Sequence, residues 1–168
     1  MVDSSHDVRG EIAALLPRLR RFGRTLAHHR EDADDLVQIA IEKALMRTDQ
    51  WTPGTRLDSW MFRIMQNAWI DEVRARERRD QTFVAEEEGA HVGVSPVDAH
   101  IDALAVRKAV AQLNDDQRAA VGLVLVEGFS YEEAAHTLNV PVGTLTSRLA
   151  RAREALQAML GGVAEART

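Results

Sequence analysis

His28, His29, Glu31, Asp32, Asp34 and Asp35 crowd into the stretch HHREDADDL, residues 28–36. Imidazole and carboxylate groups at this density could ligate a metal ion or serve as an acid–base pair. The spacing argues against both. Adjacent histidines on a helix point in different directions, so His28 and His29 do not converge on one ion. No second histidine cluster completes a His/carboxylate set, and the chain contains no cysteine. A Gly-rich phosphate cradle is also missing from the sequence. The chain is therefore read as a non-enzyme, with no catalytic residue, metal or cofactor expected. The same stretch is better explained as a junction of two helices. Asp32 can cap the second helix, with Asp34 and Asp35 in its first turn, where the helix dipole favours negative charge. His28 and His29 would close the preceding basic helix, an end that favours partial positive charge.

The elements that position these residues follow from composition and period. The 168 residues are 45% hydrophobic and only 5% aromatic, with many Ala, Leu, Arg and Glu. That mixture favours helices over a sheet and supplies a core. Ile12, Leu15, Leu16, Leu19, Phe22 and Leu26 recur at helical spacing. Pro17 falls among them, and a break or kink is expected there. Val37, Ala40, Ile41, Ala44 and Leu45 make a second apolar stripe. A loop with a Pro53-Gly54 turn follows, and then a third helix over 59–79 capped by Asp58 or Ser59. Residues 80–97 lack a sustained period and carry Gly89, Gly93 and Pro96, so they read as a flexible linker. Beyond it, Asn114 with Gln117 and Ser130 with Glu133 have capping-box spacing, and Gly128 is placed to stop the intervening helix. The fold class is all-α. It comprises two small helical domains, 1–79 and 98–168, joined by the linker.

Charge is unevenly placed. The net charge is −5, yet 18–30 holds five arginines and no acid. Segment 148–153 holds three arginines and no acid, while 80–102 holds six acids and no Lys or Arg. Strong solitary DNA binders are usually basic overall, because phosphate neutralisation supplies much of the affinity. This chain is therefore not expected to act alone on nucleic acid. It lacks the apolar run of about 18 residues that would span a membrane. It also lacks the basic start of a secretory signal. A cytoplasmic protein with no membrane contact of its own is expected.

YEEAAHTL, the turn LNV and VGTLTSRLARAREALQAML form a helix-turn-helix. Small Ala134 and Ala135 let the helices approach, and Leu138, Val140, Leu145 and Leu149 fill the angle between them. Asn139 suits the left-handed turn position. The second helix projects Thr144, Ser147, Arg148 and Arg151, which suits entry into a DNA major groove. An ordinary helical hairpin with a solvated Arg face shares much of this pattern.

FSYEEAAHTLNVPVGTLTSRLARAREAL resembles the C-terminal DNA-binding region of bacterial sigma factors of the extracytoplasmic function (ECF) group, in the sigma-70 family. DADDLVQIAIEKAL followed by LDSWMFRIMQNAWIDEVRARERR resembles their N-terminal region. The order and spacing also match, so the resemblance covers about residues 12–160. It implies promoter-specific transcription initiation with core RNA polymerase (clamp and flap), promoter DNA and an anti-sigma factor as partners. Stress-response genes are the implied targets. By the same resemblance, Asp35, Gln38, Ile39 and Glu42 face polymerase; Ile39 departs from the acid common in relatives. Asn67 matches the position beside the pocket for a flipped −10 base. Trp51, in the preceding loop, either stacks on a base or packs the loop onto the domain. Arg63, Arg74, Arg76, Arg78 and Arg79 are candidates for −10 backbone phosphates, or part of a solvated face. Thr144, Thr146, Ser147, Arg148, Ala150 and Arg151 belong to the −35 surface; Thr146 stands where Lys or Arg is frequent. The acidic linker is expected to run through the polymerase channel. The rival readings are a homodimeric DNA-binding regulator that needs no polymerase, and a sigma-like decoy that binds an anti-sigma protein.

Overall fold

The structure, a computed structural model, describes residues 7–80 and 98–165. The described residues are helical, with no strand among them. The expected linker lies outside them, apart from Asp80. The first half of the chain forms α1 (Val8–Leu26), α2 (Arg30–Met46) and α3 (Leu57–Asp80), with a short 3₁₀ turn at Thr48–Gln50. The second half forms α4 (Asp98–Ala111), α5 (Asp115–Val121), α6 (Tyr131–Leu138) and α7 (Val142–Glu165). A π-helical turn, Gly122–Val126, extends α5.

Local chemistry explains most boundaries. Asp7 caps α1 by accepting the Gly10 N–H at 3.0 Å. Both predicted capping boxes are present. Asn114 and Gln117 start α5, and Ser130 and Glu133 start α6. Gly128 has φ +74°, and Asn139 ends α6 in the left-handed conformation at φ 54°. These two positions need a backbone that most side chains resist.

Four expectations are corrected. Pro17 does not break α1, which runs uninterrupted through it. Ala13, whose carbonyl loses its partner, and Pro17 itself are both exposed, while Ile12, Leu19 and Phe22 hold the helix to the core. The lost hydrogen bond is therefore solvated rather than buried. Second, α2 begins at Arg30 with His29 as N-cap and no side-chain cap bond, so Asp32 lies inside the first turn. Asp34 and Asp35 fall one turn later, and His28 lies outside α1, in the connection. Third, α3 begins at Leu57, ahead of both proposed caps. Asp58 instead accepts the Ser59 N–H from within the first turn, at 2.8 Å. Finally, Leu45 is exposed. The buried face of α2 is Ala33, Leu36, Val37, Ala40 and Ala44, and Leu45 lies at its rim.

One continuous cluster of buried residues spans both halves. Phe62 of α3 is fully buried between Phe22 of α1, with ring centroids 4.8 Å apart, and Phe129 before α6, at 5.7 Å. The Arg18 guanidinium lies 5.4 Å from the centre of the Phe62 ring and that of Arg56 lies 4.4 Å from that of Phe129, where ring quadrupoles attract cations. Arg118 is buried and donates to Leu26 O of α1 at 3.1 Å and to Leu113 O, linking helix ends from both halves. Because the core is shared, Phe62→Ala is expected to destabilise the whole described fold by about 3–5 kcal/mol. Urea unfolding followed by far-UV circular dichroism checks this: a loss well below that range would show that Phe62 is not central.

Candidate polymerase and nucleic-acid interfaces

Three surfaces gather the predicted site residues. The first is on α2. Asp35, Gln38, Ile39 and Glu42 recur at helical spacing and are all exposed, off the buried stripe. Ile39 is 41% exposed, unusual for a large aliphatic side chain. Beside it, Asp35, Ile39 and Lys43 line a cleft of about 280 Å³ against Trp69 and Asp71 of α3. Met46, 83% exposed, extends the apolar character toward the helix end. The sequence reading missed it, although it lies one turn beyond Glu42.

Asp32 does something the sequence did not reveal. Its carboxylate accepts both terminal nitrogens of Arg76, at 2.8 and 3.1 Å, in a fork geometry. Arg76 also donates to Glu72 at 2.9 Å and lies 5.7 Å from the Trp69 ring centre. The Arg76 hydrogen bonds hold the Asp32 carboxyl below its ordinary range. In turn, Asp32 and then Glu72 raise the Arg76 pKa. Arg76 thus ties α3 to the start of α2, and contact with a phosphate would compete with that tie. His28 is biased toward its neutral form, first by partial burial and then by nearby Arg118. Among the described residues, no three His, Asp or Glu side chains come together in a way that could hold a metal ion.

The second surface lies on the loop before α3 and on α3 itself. Trp51 is only 5% exposed and packs the loop onto the helices. Trp69 is buried, whereas Trp60 is only partly so. An open pocket of about 400 Å³ is walled by Gln50, Trp51, Trp60 and Arg63, with Glu133 and His136 of α6 on its far side. Asn67 is exposed one turn beyond Arg63 and does not line the pocket. Arg63 donates to the backbone carbonyls of His136 and Thr137. Arg74, Arg78 and Arg79 are exposed, and Arg79 donates to Glu72 at 3.2 Å.

The third surface is the helix-turn-helix. Leu145 and Leu149 are buried beneath α6, with Leu138 and Val140 partly buried against them. Thr146, Ser147, Ala150 and Arg151 are exposed on α7, and Thr144 and Arg148 are half-buried. The Thr146 hydroxyl donates to Val142 O at 2.9 Å. Arg148 lies 3.6 Å from Asp116, which draws it toward α5.

With this geometry in place, comparison with known proteins is decisive. A family model described as "Sigma2 domain of PhyR" matches residues 12–66, and one described as "Sigma-70, region 4" matches residues 103–156. The chain is 37% identical over 157 residues to the ECF RNA polymerase sigma factor EcfG of Rhodopseudomonas palustris, covering 91% of this chain and 84% of that one. The chain belongs to the ECF RNA polymerase sigma factors. It is also 36% identical to the ECF sigma factor SigM of Mycobacterium tuberculosis, covering 86% of this chain and 72% of that protein. The sigma factor RpoE of Bartonella quintana, solved in complex with the anti-sigma factor NepR, superimposes with TM-score 0.77 at 33% identity. That match covers 92% of this chain and 97% of the other. As an ECF sigma factor, the protein directs promoter-specific initiation by RNA polymerase, and its family is one of transcription factors. No helix among the described residues is long and apolar enough to cross a membrane.

The Asp32–Arg76 tie predicts a stability effect. Asp32→Asn and Arg76→Gln should each lower the thermal midpoint, with a coupling of about 1 kcal/mol in a double-mutant cycle. Because the folded pKa of Asp32 is depressed below 3.8, its contribution is present above that value and lost as pH falls through the lower folded value. The stability of Asp32→Asn should therefore fall less with acid below about pH 4. Additive single effects with an unchanged acid profile would refute the tie.

Proposed function

We propose that the surfaces divide the work of initiation. The first region, 1–79, docks on the polymerase clamp through Asp35, Gln38, Ile39 and Glu42. It captures separated −10 bases at the pocket beside Trp60 and Arg63, with Asn67 exposed one turn further along α3. Arg74, Arg78 and Arg79 follow the phosphates there. The second region, 98–168, meets the polymerase flap and reads the −35 element through Thr144, Thr146, Ser147, Ala150 and Arg151, with Arg148 beside them. Segment 80–97 connects them along the polymerase channel. The protein works in the cytoplasm on stress-response promoters, and an anti-sigma protein restrains it. The observation that carries the reading is the outward exposure of Asp35, Gln38, Ile39 and Glu42 on α2 together with that of Thr146, Ser147, Ala150 and Arg151 on α7. Each helix buries its apolar stripe and leaves its predicted binding groups to solvent. Restraint is supported by a solved relative, the sigma factor RpoE of Bartonella quintana in complex with the anti-sigma factor NepR.

A second reading has one observation in its favour. The matching first-region family model is that of PhyR, and a solved structural neighbour is titled an anti-anti-sigma factor PhyR complexed with NepR. A protein of that kind would bind an anti-sigma protein without recruiting polymerase.

Run-off transcription with purified core polymerase separates the two readings. Promoter-dependent transcripts are expected, and their absence with any anti-sigma protein removed would favour the decoy. Asp35→Ala with Gln38→Ala should weaken core binding at unchanged helicity. Arg151→Ala should weaken promoter binding by about 1–3 kcal/mol while sparing core binding.

A further inference from the structure

The five arginines of 18–30 divide into two sets. Arg18 and Arg21 turn toward the second half and hold Glu127 at 3.0 and 2.8 Å. Arg20 and Arg24 are exposed on another face of α1, and Arg30 is exposed at the start of α2. Among the described residues, no side-chain hydrogen bond or ion pair engages any of these three. The sequence carries 26 acids against 21 Lys and Arg, so a shortage of carboxylates is not the cause. Arg20 and Arg24 stand four residues apart on one helix, a like-charge spacing that destabilises the helix unless an anion compensates it.

The packing of α1 on α2 gathers the three at one place. A Cβ on Gly23 would meet Ala33 O at 3.2 Å and Val37 Cγ2 at 3.3 Å, so the helices approach closely there. Arg20 and Arg24 flank Gly23, and Arg30 lies less than one turn before Ala33. All three line an open cleft of about 740 Å³ between the helices. Leu16, Val37 and Ile41 supply its apolar part, and Gln38 supplies an amide. Asp34 and Glu42 stand on the α2 wall, and neither is ion-paired among the described residues. Three cations and two carboxylates leave the cleft net positive, on a protein that is net negative.

We propose that this cleft binds a compact polyphosphate: a di- or triphosphate group, carried by a nucleoside or free as an inorganic chain. Guanidinium forks match phosphate oxygens in pairs, and three forks provide for more than one phosphate. The volume falls within the range of small-molecule sites. A continuous nucleic-acid strand fits less well. Asp34 and Glu42 interrupt any basic strip on the α2 wall, and they repel a running phosphate backbone. Leu16, Val37 and Ile41 offer an apolar surface to a base, and the Gln38 amide can both donate to it and accept from it.

The test is isothermal titration calorimetry of the full chain with inorganic tripolyphosphate at low salt. Polymerase is left out, because Gln38 and Glu42 also belong to the strip proposed for its docking. One site with a Kd of about 100 µM or tighter is expected. Arg24→Gln with Arg30→Gln should weaken it at least about tenfold with helicity unchanged. Asp34→Asn removes a repelling carboxylate from the same cleft and should tighten it several-fold. Arg9→Gln, on α1 but outside the cleft, should leave it unchanged. Adenosine or guanosine triphosphate in place of tripolyphosphate tells the two sources apart. Tighter binding assigns the cleft to a nucleotide, and equal or weaker binding assigns it to the inorganic chain. The proposal is overturned by no binding, by binding that survives the double arginine variant, by equal loss from Arg9→Gln, or by indifference to Asp34→Asn. Tighter binding of a single-stranded oligonucleotide with the same number of phosphates, lost in the double variant, would overturn it too and give the cleft to nucleic acid.

Discussion

Phe62 lies between Phe22 and Phe129, and through that contact the two halves of the chain share one core. The contact sets the depth at which the second half settles. With Phe129 against Phe62, the π-helical turn meets α1 at Gly122, and Glu127 falls between Arg18 and Arg21. A buried carboxylate is costly unless it is paired and hydrogen-bonded, so the clasp tolerates little displacement. The aromatic contact supplies attraction, and the charged contacts supply register.

This packing also resolves the tension between a net charge of −5 and a DNA-directed function. Several arginines are engaged within the protein, among them Arg76, which the sequence offered as a phosphate contact. Arg76 holds Asp32 and Glu72, Arg118 gathers helix-end carbonyls, and Arg18, Arg21 and Arg56 hold acids. In α7, by contrast, Arg151 is exposed beside Ser147 and Ala150. Positive surface available to DNA is therefore smaller than the arginine count implies. Initiation with polymerase, which shares the task of holding DNA, suits such a protein.

Much of the architecture was legible because its causes are local. The capping boxes at Asn114/Gln117 and Ser130/Glu133 are hydrogen bonds between residues three apart, and Asn139 and Gly128 answer a backbone requirement at one position. The exposed strips on α2 and α7 follow from helical period. The start of α2 was misread for an equally physical reason. Asp32 has the composition of a cap, but its carboxylate is taken by Arg76, 44 residues away. Pro17 was read as a break or kink because the lost hydrogen bond is a local signal, while the packing that keeps α1 unbroken is not.

Sequence by itself determined most of the helices, the caps of α5 and α6, the helix-turn-helix and the exposed faces of α2 and α7. All of these depend on residues within a turn or two of one another, or on a periodic pattern. Only the tertiary structure decided which arginines are engaged, that the halves share a core, and that α6 walls the pocket beside Trp60 and Arg63. Those outcomes turn on pairings such as Arg18 with Glu127 and Ser59 with Thr137, 109 and 78 residues apart. Contacts at such separation leave no period in a sequence, because chain closure over that distance is governed by the whole fold.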